Sequence, residues 1–424
     1  MKKLTSLLSI VLIGVLLLTA CGSGGSNGAE KKGNGEVTIW ATNINVPVLE
    51  QAAKEYQKDH KDFKVKVVEM ANDDIRSKMV TGLQAGGKGL PDAALLVDDG
   101  LTGWLESFPN SFVNLSEKEG FTDITKDFPK YKIDSISKDG DVYAFPFDAG
   151  PVGVFYRKDI FEKAGVDPAA IKTWDDYIAA GKVIKEKTGT NMLSYDSNDS
   201  TVFTILLSQQ GFGYYSKDGK TTIGTKESQN AANVFKQLAD NKTLLGTPGW
   251  NAWVTSLSDS QTATAIAGGW LVGTIQQQLP DQKGKWGVME LPAFEPGGSQ
   301  SANQGGSSFA ISKNSPNVDE AYDFLKFFST DFKMQELAMD GGLFPSYLPV
   351  YESDLFSKPL EYFNNEPVWT FFANQMEKIP SVFYTTNDNL ARDEIIKVQS
   401  EITTGKDVKK SLDDASERLK NREK

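Results

Sequence analysis

The sequence predicts an α/β protein built on parallel sheets, in two or three domains. Three observations carry that expectation. Short β-rich apolar runs alternate with helical patterns, and the first such stretch reads β-α-β-α-β. The 424 residues leave ample interior for a proper core. The composition, 39% hydrophobic and 24% charged, is that of an ordinary soluble globular chain, apart from its first twenty residues.

Those twenty residues read as an address. Lys2 and Lys3 form a positive start, and residues 7–18 are apolar except for Ser9 and Gly14. Such a stretch is too short to span ~30 Å of hydrocarbon and fits the apolar region of a signal peptide. It ends in Leu18-Thr19-Ala20-Cys21, which resembles the bacterial lipobox. That resemblance implies cleavage before Cys21 and acylation of its sulfur and new amino group. Each buried CH₂ adds ~0.8 kcal/mol, so two or three chains anchor a protein without a spanning helix. The alternative is a plain secretory signal with an incidental Cys. Residues 21–35, rich in Gly, Ser, Asn and Lys, cannot pack and are expected to form a flexible tether.

The elements follow in order. Val37-Thr38-Ile39-Trp40 alternates as a strand does. Asn45 can cap a helix with Pro47 in its first turn, and Val46, Leu49, Ala52, Ala53 and Tyr56 recur at helical spacing. Residues 63–68 form a strand, Ile75, Met79, Val80 and Leu83 a helix, and 93–97 a fully apolar strand. Asp98-Asp99-Gly100 then lies at the carboxyl end of a central strand, where open α/β sheets bind ligands. Strands are expected at 142–147, 152–156, 263–267, 286–291 and 307–312. Helices are expected at 158–164, 174–187, 227–240, 318–328, 332–339, 390–402 and 408–419. Gly268-Gly269-Trp270 opens a further helix. No solenoid repeat is present.

Several chemistries are excluded or weakened. One Cys rules out a disulfide framework and a Cys-based zinc site. One His rules out HExxH, and His60 sits in a polar turn. A net charge of −11 argues against nucleic acid and against docking on anionic lipid. No P-loop, GxGxxG or GxSxG is found, and no calcium loop. No metal, cofactor or catalytic residue is therefore expected. The acid pair Asp175-Asp176 follows Trp174 in a first helical turn and reads as structural.

The aromatic residues are the stronger signal, at 11% of the chain. Trp40, Trp104, Trp250, Trp253, Trp270 and Trp369 stand beside turn residues rather than inside apolar runs. A flat apolar ring with a polar rim suits the C–H face of a sugar, with Asp, Asn and Gln taking its hydroxyls. The competing reading is that these rings fill cores, which is favoured for Trp174 and Trp286 and stays open for Trp40, Trp250 and Trp270.

Longer motifs carry a resemblance. They include Gly89-Leu90-Pro91-Asp92, Val142-Tyr143-Ala144-Phe145-Pro146-Phe147-Asp148, Gly153-Val154-Phe155-Tyr156-Arg157-Lys158-Asp159, Thr173-Trp174-Asp175-Asp176-Tyr177, Gly284-Lys285-Trp286-Gly287-Val288 and Gly305-Gly306-Ser307-Ser308-Phe309. In this order, over nearly the whole mature chain, they resemble the sugar-binding lipoproteins of bacterial ABC importers, extracellular solute-binding family 1. Arg157 departs from the Asn or Asp usual after the Tyr, which touches a helix cap more than a ligand site.

The resemblance implies a two-lobed periplasmic-binding-protein-like fold of type II, with the ligand cleft between lobes joined by three crossing segments. The crossings are expected near 147–150, 291–293 and 341–347. Lobe one is then 36–147 with 293–340, and lobe two is 150–291 with 345–424. Position by position, it implies Asp98 or Asp99 as the lobe-one acid, Asp148 at the first crossing and Trp270 as a stacking ring. Tyr195 or Asp196 falls in the second-lobe site, and Tyr384 or Trp369 is the late stacking aromatic. Trp40 faces the cleft, and Trp250 joins the candidate ligand contacts.

The expected function is non-catalytic: an oligosaccharide binds between the lobes, and the closed form docks on an ABC permease driven by a cytoplasmic ATPase. The expected place is the extracytoplasmic face of a bacterial membrane, through lipidated Cys21, as a monomer and without nucleic acid. The alternatives are a binder for a non-sugar solute and a surface-anchored glycoside hydrolase, which needs two carboxyls ~5–9 Å apart.

Overall fold

The computed structural model describes residues 35–42 and 45–422. The expected signal peptide, Cys21 and all of the tether but Gly35 lie outside the described residues. Among the described residues no helix is long and apolar enough to cross a membrane.

Among the described residues there are twelve strands: β1 Glu36–Ala41, β2 Lys64–Glu69, β3 Ala93–Val97, β4 Ser137–Lys138, β5 Asp141–Val142, β6 Phe145–Pro146, β7 Val152–Arg157, β8 Asn191–Asp196, β9 Leu244–Thr247, β10 Thr262–Gly268, β11 Trp286–Met289 and β12 Ser307–Ile311. They form two five-stranded sheets, β2-β1-β3-β12-β6 and β11-β7-β10-β8-β9, plus the β4-β5 hairpin.

In the first sheet β1 pairs in parallel with β2 and β3, with Ile39 opposite Ala93. This is the arrangement expected from the β-α-β-α-β order. β12 runs antiparallel to both β3 and β6. Val37, Ile39, Ala41, residues 93–96 and residues 309–311 build its core with helices Asn45–Tyr56 and Val318–Thr330. The expected strand over 142–147 is interrupted, and only β5 and β6 remain of it. In the second sheet β10 is central and buried throughout. It pairs antiparallel with β7 and parallel with β8. Two cores flank this sheet, one around Trp174, Phe203 and Phe235, the other around Phe155, Trp286 and Phe372.

Helix ends show local chemistry at work. Thr173 caps helix Trp174–Thr188: its Oγ1 accepts the Asp176 N–H, while Asp176 Oδ2 accepts the Thr173 N–H at 2.9 Å. The Thr173 hydroxyl, at 2.8 Å, and the backbone N–H groups of Thr173 and Lys172 donate to the Asp176 carboxylate and hold it below its ordinary value. Arg157 provides no cap for helix Lys158–Ala164. Instead it grips Asp159 with two hydrogen bonds, at 2.8 and 2.6 Å, and lies over the Trp286 ring. Burial alone would raise the Asp159 carboxyl, but Arg157 brings it below its ordinary value.

Three segments cross between the sheets and hydrogen-bond to one another. Ala149 donates its N–H to Phe344 O at 2.8 Å, and Ser346 donates to Phe147 O at 2.7 Å. Gln304 donates to Gly150 O at 2.7 Å, and Gly150 donates to Asn303 Oδ1 at 3.0 Å. The first and third segments pair at 147–149 and 344–346. The second lies at 302–306 rather than at 291–293. The Ala293 N–H and C=O are taken by Lys172 and Trp174, and Leu291 sits in the second sheet's core. Buried Gln209 holds the loop that follows, donating to Pro292 O and Ser299 O. Lobe two therefore keeps the chain to about residue 303, and lobe one resumes at β12.

Two outcomes follow from this packing. A Cβ on Gly150 would stand 1.9 Å from Gln304 O, backbone against backbone. Gly150→Ala should lower stability by at least the ~1–3 kcal/mol of an overpacked site. Gly273→Ala, with open space around it inside helix Leu271–Gln278, should be neutral or raise stability by ~0.5–1 kcal/mol. Urea unfolding of both variants is the check, and equal midpoints would refute the role of the crossing.

The second outcome concerns Asp388, which opens helix Asp388–Thr403 and accepts the N–H and Oγ1–H of Thr385. Burial pushes its carboxyl up to about 6, from 3.8. A raised carboxylate binds its proton more tightly when folded. Its contribution is fully present below pH ~4 and is lost as pH rises through about 6. Asp388→Asn should therefore gain on the parent by up to ~3 kcal/mol between pH 4 and 7. A constant difference in urea stability across that range would contradict this.

Candidate functional site

The carboxyl end of β3 runs directly into helix Asp98–Ser107, so Asp98 and Asp99 open its first turn. There the N-terminal dipole favours acids. The two side chains then part. Asp98 is buried, with Oδ2 2.6 Å from Lys132 Nζ and Oδ1 2.7 Å from Ser308 Oγ. Lys132 is itself 0% exposed. It also donates to Asp148 O and Ser307 O, both at 2.7 Å, so all three of its N–H groups are used. Burial pushes the Asp98 carboxyl up, and Lys132 opposes it. Asp148 Oδ1 accepts the Ser307 N–H at 2.5 Å. Burial pushes its carboxyl up to about 6, again against Lys132.

Asp99 faces across to the second lobe. Its Oδ2 lies 2.5 Å from Arg392 Nη2 on helix Asp388–Thr403. Burial disfavours the guanidinium charge, but Asp99 outweighs it and raises the Arg392 pKa. Arg392 Nε is buried with no partner.

A cavity of about 330 Å³ lies where these groups meet, within the ~300–1,000 Å³ usual for small-ligand sites. The first lobe supplies Asp98, Asp99 and Tyr131. The second supplies Trp270, Tyr384, Arg392 and the polar face of helix Thr201–Ser208, whose Thr201, Thr204 and Ser208 recur at helical spacing. Asn303 and Gln304, from the second crossing, complete the wall. The Tyr131 hydroxyl donates to Asn303 Oδ1 at 3.2 Å.

Trp270 owes its place to the two glycines before it. Gly268 donates its N–H to Gln304 Oε1 at 2.8 Å and Gly269 to Pro151 O at 2.9 Å. A Cβ on Gly268 would stand 2.7 Å from the Trp270 indole nitrogen, so any side chain there displaces the ring. Trp250 lies 5.8 Å from Trp270, centroid to centroid, and is 43% exposed. It extends the aromatic surface outward from the cavity wall.

Of the expected site residues, Asp98, Asp99, Trp270 and Tyr384 line the cavity, and Trp250 adjoins it. Asp98 differs from the expected role of a free hydroxyl acceptor, because Lys132 and Ser308 occupy its oxygens. Asp148 is outside the lining and braces the first crossing against β12. Trp40 packs against the first sheet's core instead of the cleft. Tyr195 faces inward on β8, edge-on to Phe235 at 5.1 Å. Asp196 closes a turn by accepting the Asn198 and Gly249 N–H groups. Trp369 packs on Phe344 and Phe372. Arg392, Tyr131, Lys132 and the Thr201–Ser208 face were not foreseen. The polar pair Asn303-Gln304 ahead of Gly305-Gly306 was the one local sign of a lining segment.

Comparison with known proteins agrees with this architecture. The family model described as bacterial extracellular solute-binding protein matches residues 51–364. A lactose-binding protein of Rhizobium radiobacter is 34% identical over 359 residues, covering 82% of this chain and 84% of that protein. An arabinooligosaccharide-binding protein of Bacillus subtilis (strain 168) is 30% identical over 77% of this chain and 76% of its own. A solved extracellular solute-binding protein of family 1 superposes with a TM-score of 0.80 at 23% identity, over 91% of this chain and 99% of that one. With the family model spanning most of the chain and two lobes enclosing a cavity, the protein belongs to the bacterial extracellular solute-binding protein family.

Proposed function

We propose that this protein captures a carbohydrate in the cavity between its two lobes and hands it to the permease of an ABC importer. The observation that carries the reading is the make-up of that cavity. Trp270 and Tyr384 give flat apolar walls from one lobe, and Asp99, Arg392, Asn303 and Gln304 give a rim of hydroxyl partners. The names of the two relatives, lactose-binding and arabinooligosaccharide-binding, support the same ligand class.

Capture needs no covalent step, so Asp99 acts as a hydrogen-bond acceptor and the protein is a binder rather than an enzyme. Sugar bound to one lobe gains the other lobe's contacts only on closure. The closed state is populated to the extent that the ligand prefers it. Asp99 and Arg392 stand on opposite lobes, so their ion pair adds to the closed state directly. Transport itself belongs to a separate permease and ATPase. The place of action is outside the cytoplasm, and the protein works as a monomer held to the membrane by lipidated Cys21.

Thermal unfolding against a saccharide panel is the primary test. A ligand at 100 times its Kd adds ~2.7 kcal/mol, and a panel of sugars that all leave the transition unmoved would end the reading. Trp270→Ala should weaken the best sugar by ~2 kcal/mol or more, roughly thirtyfold, with the fold intact. Unchanged calorimetric affinity would remove the indole from the site. Cys21→Ser should abolish the lipid mass increment and release the protein from membranes, and a variant still recovered with membranes would refute the anchor.

A further inference from the structure

Asp388 is a buried acid that ligand capture leaves unused, and it stands on the seam between the lobes. From the second lobe it opens helix Asp388–Thr403, one turn ahead of Arg392. From the first lobe, Gly100, Gly103 and Trp104 of helix Asp98–Ser107 line a cavity of about 340 Å³ together with it. The lobes approach closely here. A Cβ on Gly103 would stand 3.2 Å from the backbone of Thr386, two residues ahead of Asp388. Asp388 keeps only 5% exposure. The first lobe supplies part of that cover and takes it away when the lobes separate.

The charges around Asp388 also change with the lobes. Asp99 and Arg76 face it from the first lobe, and Arg392, Tyr384 and Tyr214 from the second. Arg76 is exposed, so solvent screens it. Burial holds both phenols above their ordinary value, and they stay neutral near pH ~6. Asp98 is tied to Lys132. The groups that act on the Asp388 charge are therefore Asp99, which opposes it, and Arg392, which favours it. With the lobes together, Asp99 holds Arg392 at 2.5 Å and sets a second negative charge beside Asp388. With the lobes apart, that charge withdraws and Arg392 is left to the acids of its own lobe, Asp388 and Asp199.

We propose that Asp388 links closure to a proton, taken from solvent onto its carboxylate as the lobes meet and returned as they part. Only the O–H bond forms and breaks. Burial and Asp99 both raise the carboxyl in the closed arrangement, where it reaches about 6. A group raised in one state favours that state at low pH. Closure is thus helped below pH ~6, and the help is lost as pH rises toward 7. The link concerns the lobes themselves; it rests on the capture reading only for its effect on ligand affinity.

Two measurements on the purified protein between about pH 5 and about pH 7 test this. Ligand-free solution scattering should give a smaller radius of gyration at the acid end. Calorimetry with lactose and with arabinotriose, in buffers of different ionisation enthalpy, should show binding roughly three- to tenfold tighter at the acid end, with uptake of about half a proton, for whichever sugar binds. Asp388→Asn keeps an acceptor for Thr385 and cannot ionise, so it should lose this share of both responses. Asp148 also titrates near 6, but it is common to parent and variant, and the difference between them isolates Asp388. Asp99→Asn, its fold checked by the thermal midpoint, should move the response to lower pH, because Arg392 then turns to Asp388. The proposal is overturned if parent and Asp388→Asn share one pH profile in scattering and in calorimetry. Should neither sugar bind, the carbohydrate reading loses its support, while the two scattering profiles alone decide the proton link.

Discussion

The ammonium group of Lys132 is the point on which the architecture of this protein turns. A charge without solvent contact is tolerated only when it is paired and every donor is used. Lys132 meets that condition through three acceptors from separate parts of the chain: the Asp98 carboxylate after β3, the Asp148 carbonyl in the first crossing and the Ser307 carbonyl at the start of β12. Satisfying one cation therefore sets the mutual position of the central strand, its antiparallel neighbour and the segment leaving for the second lobe. Asp98 is consumed by that duty. Its neighbour Asp99, turned by about 100° on the helix, is the acid left to face the other lobe.

Around that staple the two lobes are built independently and joined thinly. Each sheet has its own core of apolar residues, and the segments between them meet mostly through backbone hydrogen bonds at 147–150, 302–306 and 343–346. Such a junction can bend without exposing either core. Close backbone approach at Gly150 keeps the crossings in register. The interlobe cavity occupies the space that this junction leaves, and its walls reflect the division. The first lobe contributes carboxylates and Tyr131, the second contributes indole, phenol, guanidinium and a row of hydroxyls, and the crossing contributes two amides. On the proposed function, affinity and closure are the same event, because a ligand that touches both walls favours the state in which the walls are close.

Local pattern was enough to read the parallel β1–β3 unit, the helix that Trp174 opens and the helix after Gly268-Gly269-Trp270. Each depends on residues within a few positions of one another: alternation along β1, acids in a first helical turn, two glycines at a helix start. The family-wide order of motifs supplied the two-lobed plan. Pattern did not reveal which aromatic rings face the cleft. Packing across elements turns Trp40 onto the first sheet's core, Tyr195 onto Phe235 and Trp369 onto Phe344 and Phe372. Nor did it reveal Arg392, which meets Asp99 across 293 positions of chain. The second crossing moved from 291–293 to 302–306 because Gln209, distant in sequence, holds the intervening loop on the second lobe. Short-range chemistry is written in neighbouring side chains and can be read there. Which face of an element meets which other element is a balance of burial over the whole molecule, and it exists only once the chain has folded.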